Sequence, residues 1–311
     1  MPGTPATPLR VVYLAGSGHT GSTLLALFVD AHPRIVSVGE TSLKRKAQWQ
    51  EKTGLACTCG DAVQDCPFWQ EVFQGVTAAG FELNMRHWSN DFRYKNPVAH
   101  KLLSRRSANP LIWAVQRSAG AIVPGHRARV DRVRKVNVAF IRTVMRVAGA
   151  NVFFDTSKRA FRLQQLLETP ELDVSVVKLV RDVRGYVASA VKRGDSLRDA
   201  ALTWRRDQES VAAVTRALPA NRVLTVRYED LCRDPRTWLR QIYAFCGVEA
   251  IEPPEFVVSR EHHVIGNSMR LADKIQIRLN EGWRTALSMD DQSRALAIAG
   301  PLHANLGYAG H

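Results

Sequence analysis

The sequence has no long apolar run. No segment approaches the ~18 consecutive apolar residues of a membrane span. The apolar stretch behind the Pro/Thr-rich start, MPGTPATPLR, is too short for a signal-peptide core. Cysteine is scarce: five residues, an odd number, which suits a reducing compartment better than a disulfide framework. Together these absences predict a soluble, cytoplasmic protein. There is no internal repeat of roughly 20 to 50 residues to suggest a solenoid. Aromatic side chains are sparse among the basic clusters, which argues against a nucleic-acid stacking surface. Acidic residues are also in deficit. The net charge of +14 points to an anionic partner such as a nucleotide or a sulfated or phosphorylated ligand. The 45% hydrophobic content is ordinary for a globular chain, and 311 residues suffice for a sizeable core.

What is present is organised around Arg10 to Asp30, RVVYLAGSGHTGSTLLALFVD. Val11 to Ala15 reads as a buried strand, Gly16 to Gly21 as a glycine-rich turn, and Ser22 as the start of a helix. Such a turn aims backbone N–H groups at an anion, and the positive end of the helix dipole points the same way. One residue of the nucleoside-triphosphate pattern is missing. Gly16, Gly21 and Thr23 stand at the positions of G-x-x-x-x-G-K-[ST], but Ser22 replaces the lysine that contacts the β/γ phosphates. The loop suits a phosphate or phosphosulfate better than ATP.

Four more strands follow in outline, at Ile35–Val38, Asn151–Phe154, Val174–Val180 and Arg222–Val226. Each ends in polar residues, and ligands bind outside the carboxyl ends of strands in an open α/β sheet. The second strand leads to Glu40. The third leads to Asp155-Thr156-Ser157-Lys158, with Asp155 as a helix cap and Lys158 in the first helical turn, where the dipole disfavours a cation unless an anion lies nearby. The fourth leads to Arg181, with Ser189 eight residues on, placed to share one anion. Pairing of Arg181 with Asp182 is the competing reading. The fifth leads to Arg227-Tyr228-Glu229-Asp230-Leu231. Helices are expected at Leu197–Ala217, after Leu231 through Cys246, and at Asp290–Leu306. Residues 70–150 read as helical and strongly basic (Arg105, Arg106, Arg117, Arg127, Arg129, Arg132, Arg134 and Lys135). They form either a solvated cap or a lid over the substrate. Cys57, Cys59 and Cys66 do not have a standard zinc spacing and show no fourth ligand nearby. They read as a structural loop over Pro67, Phe68 and Trp69, with a loop disulfide open to oxidants. His262 and His263 lack a carboxylate at ligand spacing, so no metal is expected.

Taken together, these residues resemble the sulfotransferases that use 3′-phosphoadenosine 5′-phosphosulfate (PAPS), from Val11 to about Arg284 and least within 70–150. Gly16 to Thr23 is similar to the family's 5′-phosphosulfate loop. Leu179 to Arg184 with Ser189 resembles its 3′-phosphate motif, and Gly266-Asn267 with Arg270 its segment over the nucleotide. The resemblance implies a single α/β domain over residues 1–311, of three-layer P-loop-like architecture. It implies a mostly parallel sheet of about five strands and a helical insertion covering the acceptor. It also implies metal-free in-line transfer of sulfuryl from PAPS to a hydroxyl or amine of a small-molecule, lipid or carbohydrate acceptor, leaving 3′,5′-adenosine bisphosphate. Nucleotide contacts fall to Gly18, His19, Thr20, Gly21, Ser22, Thr23, Arg181, Ser189, Asn267 and Arg270. His19 stands where many members have Lys or Arg, with Lys158 as the complementary cation. Glu40 matches the glutamate base of the carbohydrate and tyrosylprotein types, with Asp155 and His87 as fallbacks. A small-molecule kinase and a non-catalytic nucleotide- or polyanion-binding protein are the rival readings.

Overall fold

The computed structural model describes residues 7–41, 56–84, 87–258, 262–264 and 266–308. Residues 1–6 of the Pro/Thr-rich start and Glu261 lie outside them. In the first strand, β1 (Leu9–Gly16), Val11, Tyr13 and Ala15 pack into one layer while Val12 and Leu14 pack into the other. All five are fully buried. Side chains alternate along a strand, so a strand apolar on both faces must lie between two layers.

The chain continues through α1 (Ser22–Asp30), β2 (Ile35–Val36), α2 (Pro67–Ala78), α3 (Pro97–Leu103), α4 (Pro110–Ile122) and α5 (His126–Ala148). Then come β3 (Val152–Lys158), α6 (Ala160–Leu167), β4 (Leu172–Val180), α7 (Val183–Val191), α8 (Leu197–Thr215), β5 (Val223–Arg227), α9 (Tyr228–Arg233) and α10 (Pro235–Cys246). A small antiparallel pair, β6 (Phe256–Val257) and β7 (Ile275–Gln276), precedes α11 (Trp283–Ala286) and α12 (Met289–Ala299). The five-stranded sheet has the order β2-β3-β1-β4-β5, with every pair parallel. Helices α2, α5, α6 and α8 cover one face, and α1 and α10 cover the other. This is the expected three-layer α/β fold. Among the described residues no helix is long and apolar enough to cross a membrane.

Several boundaries differ from the sequence reading, each for a physical reason. The third strand runs on through Lys158, because a bulge against β1 between Tyr13 and Ala15 absorbs an extra residue. Lys158 therefore ends a strand rather than opening a helix. Asp155 does not cap that helix; it is buried and bonds Arg162 in the helix's first turn. The expected helix through Cys246 begins at Pro235, capped by Asp234, and the residues before it form the separate short helix α9. The expected final helix is broken at Gly300, at φ +60°: α12 ends at Ala299, and helical structure resumes over Pro301–His303 and Ala304–Tyr308. The 70–150 segment is helical as expected, but α2 and α5 belong to the core, where Trp69, Phe140 and Phe153 pack together. Among the described helices of this segment, only α4 has no buried residue.

The sheet order positions the site. The chain leaves β1 toward β2 and β3, then crosses to β4 on the other side of β1. The carboxyl ends of β3, β1 and β4 thus meet where the winding reverses, which is where an open α/β sheet leaves a ligand crevice.

Candidate active site

The β1–α1 turn forms the floor of a cavity of about 450 Å³. Gly21 caps α1 at φ +85°, and a Cβ there would lie 2.8 Å from the Tyr228 ring, so both backbone and space require glycine. The helix has no side-chain cap and no acidic residue in its first turn. Its positive end is left to face the cavity. Among the described residues only two non-glycines adopt positive φ, His19 at 59° and Lys158 at 68°, and both line this cavity. Left-handed backbone at non-glycine residues clusters at functional sites, because the surrounding structure must hold it there.

Two pairs of side chains give the cavity its chemistry. On the β3 side, Lys158 Nζ donates to Glu40 Oε1 at 2.7 Å and to the Thr156 carbonyl at 3.2 Å. On the β4 side, Arg181 Nη1 lies 3.4 Å from Ser189 Oγ, nearly two turns into α7. Arg181 also donates to the His19 and Asn280 carbonyls, and its guanidinium stacks 4.4 Å from the Tyr228 ring centre. The competing partner is committed elsewhere: Asp182 binds Arg184 through both carboxylate oxygens. Among the described residues no carboxylate lies within ion-pair distance of Arg181, which is 7% exposed. A buried cation without a counter-ion is costly, and a bound anion removes that cost.

His19 is not a second cation here. Burial comes first, then Arg193, Lys158 and Arg181, in holding its imidazole down to about 4. Arg193 Nη1 approaches His19 Nε2 at 3.4 Å and lines the cavity, so the arginine carries the charge and the neutral ring accepts. The pH consequence has a definite sign. Between the unfolded value of about 6.5 and about 4, the unfolded chain takes up a proton that folded His19 does not, so stability falls as pH drops through this window. His19→Asn keeps a side chain that tolerates left-handed backbone. Its melting temperature should fall less between pH 6.5 and pH 4 than that of the wild type, as read by thermal melts across that range.

Gly18, His19, Gly21, Ser22, Thr23, Glu40, Lys158, Arg181, Ser189 and Asn267 all line the one cavity. The Thr23 Oγ1 accepts the Asn267 N–H at 3.0 Å and so ties the loop to the segment above it. Two expected contacts do not converge. The Thr20 hydroxyl is buried and donates to the Ser17 carbonyl. Arg270 turns away from the cavity and donates to the Ala56 and His263 carbonyls. Both fallback bases are elsewhere: Asp155 is buried against Arg162, and His87 is exposed beside Glu82. Sequence reasoning missed Arg193, Asn280 and the wall formed by the Tyr228 ring. Of these, only Tyr228 carried a signal, as the first residue after a strand. The absence of a fourth ligand near the cysteines is also corrected, because His262 packs against Cys57 and Cys66.

Comparisons with known proteins bear on the family and the fold. A family model described as the sulfotransferase family matches residues 12–253. The chain is similar to mouse carbohydrate sulfotransferase 1 (27% identity; 47% of this chain, 41% of the relative). It is also similar to human carbohydrate sulfotransferase 3 (28% identity; 47% and 36%). It therefore spans less than half the length of these curated relatives. The sulfotransferase domain of the Synechococcus PCC 7002 olefin synthase shares the fold, with a TM-score of 0.51 at 17% identity over 97% of this chain and 96% of that one. With a lysine-less phosphate loop, an arginine–serine pair across from it and a family match over most of its length, the chain belongs to the sulfotransferase family.

Proposed function

We propose that the protein transfers the sulfuryl group of PAPS to a hydroxyl of a small or medium acceptor. A carbohydrate is favoured by the names of the relatives above. The observation that carries this reading is that one cavity unites the lysine-less loop, the Arg181–Ser189 pair and the Lys158–Glu40 pair. Arg181 and Ser189 grip the 3′-phosphate, and the N-terminal turn of α1 receives the 5′-phosphosulfate. Asn267 closes the site from above.

The residues then act in a coupled way. Glu40 takes the proton of the acceptor hydroxyl. The acceptor oxygen bonds to sulfur as the bond from sulfur to the 5′-phosphate oxygen breaks, and negative charge grows on that oxygen. Lys158 stabilises it together with the backbone N–H groups of the loop. In the free protein Lys158 is held by Glu40 at 2.7 Å. Protonation of Glu40 ends that ion pair, so the lysine's charge is released to the leaving oxygen when it is needed. The exposed helix α4 and its basic neighbours are assigned to the acceptor side, and the unpaired cysteines to a reducing, cytoplasmic setting.

Calorimetric titration tests the donor assignment. Tight binding of 3′,5′-adenosine bisphosphate with no binding of ATP plus magnesium is the expected result. The reverse would move the protein to phosphoryl transfer.

A further inference from the structure

The second feature of note lies beside the cavity, where the fold completes a cluster that the local sequence leaves incomplete. Cys57, Cys59 and Cys66 lie on one loop, and His262 reaches them from the segment that leads to the cavity roof. Cys57 Sγ and Cys66 Sγ lie 3.5 and 3.3 Å from His262 Nδ1, and Cys59 Sγ lies 3.6 Å from Cys66 Sγ. All four donor atoms are within 4.8 Å of one another. A tetrahedral zinc with Zn–S of about 2.3 Å and Zn–N of about 2.0 Å has ligand-to-ligand edges of roughly 3.5 to 3.8 Å. Pairwise thiol hydrogen bonds could explain any one of these distances. They do not by themselves bring three sulfurs and a nitrogen around a single point.

The surroundings are built to hold those donors. The His262 ring stacks flat on Phe68, with centres 4.3 Å apart and planes 4° apart, which leaves Nδ1 facing the sulfurs. Trp69 Nε1 donates to the His262 carbonyl at 3.2 Å, and the His263 N–H donates to Thr58 Oγ1 at 3.0 Å. Cys66 stands at the N-terminus of α2, so the helix fixes the position of its thiol. Arg270, which the cavity does not use, is fixed by the Ala56 and His263 carbonyls on either side of the cluster. Its charge complements the single net negative charge of a zinc bound by three thiolates and one imidazole.

We propose that Cys57, Cys59, Cys66 and His262 bind one zinc ion. Binding exchanges three thiol protons for the metal. Four protein ligands close the coordination sphere, so the ion is structural. Its role follows from what it joins. The 262–264 segment also donates from Val264 to the Val38 carbonyl, just before Glu40, and continues into Gly266, Asn267 and Met269 of the cavity wall. The metal clamps the roof of the site and the approach to Glu40 onto the α2 loop.

The test uses the full chain, purified without a metal-affinity tag in the presence of a thiol reductant. Elemental analysis should find about one zinc per chain, and less than about one-tenth of that in Cys66→Ser and His262→Ala. Cobalt offered to metal-stripped wild type should give the intense visible bands of a tetrahedral thiolate site. Should the variants fail to fold, the wild-type cobalt spectrum still decides. Reduced, folded wild type that holds neither metal overturns the proposal, and so does unchanged zinc content in folded variants.

Discussion

Arg181→Ala should weaken binding of 3′,5′-adenosine bisphosphate by about 10²- to 10⁴-fold, because two hydrogen bonds to a charged group are lost at about 1.5–3 kcal/mol each. The guanidinium is held at the end of β4 by the Tyr228 ring and by two carbonyls, with Ser189 Oγ at 3.4 Å. It is therefore set before the ligand arrives, and little entropy is lost on binding. Part of the effect will come through the loop, since Arg181 also anchors the His19 carbonyl. Arg181→Lys separates the two contributions: it restores charge but not the planar fork, so its affinity should fall between those of wild type and alanine. Calorimetry on proteins shown to be folded by thermal melting is the measurement. An alanine variant that binds the bisphosphate as tightly as wild type would show that the 3′-phosphate lies elsewhere.

Glu40→Gln should lower turnover by about 10²- to 10⁴-fold, the range for removal of a general base. Binding of the bisphosphate should change little, because the amide keeps an oxygen that can still accept from Lys158. The contrast between lost turnover and kept binding marks an interaction made in the transition state. Lys158→Ala should also cost about 10²- to 10³-fold in turnover, as for loss of a donor to a developing oxyanion. If the two residues act as the coupled pair described above, the double variant will lose less than the product of the single losses. Single-turnover rates with labelled PAPS measure all three. A Glu40→Gln enzyme with wild-type turnover would remove Glu40 from proton transfer.

How much of this was legible in the sequence depends on how local each signal is. β1 and the start of α1 at Ser22 were readable because a two-sided apolar run and a glycine turn are written in adjacent residues. The Arg181–Ser189 pair was readable because eight residues of strand end and helix fix their separation. Boundaries failed where a neighbouring strand intervened: the bulge that carries β3 through to Lys158 exists only because β1 lies beside it. The 70–150 segment read as a basic cap because charge is visible in sequence, whereas the burial of α2 and α5 depends on what they pack against. Thr20 and Arg270 were named for the site by position in a pattern, yet the direction of a side chain is set by its tertiary neighbours.

By itself, the sequence determined the strands of an open α/β sheet, the glycine-rich turn without a lysine, and the basic residues that would meet an anion. These follow from short-range patterns that the backbone must obey. Only the tertiary structure decided that Lys158 pairs with Glu40 across 118 residues, that Arg193 rather than His19 carries charge, and that His262 joins cysteines some two hundred residues earlier. Chain connectivity leaves such contacts open. They are selected when burial brings distant segments together and each buried polar group must find a partner.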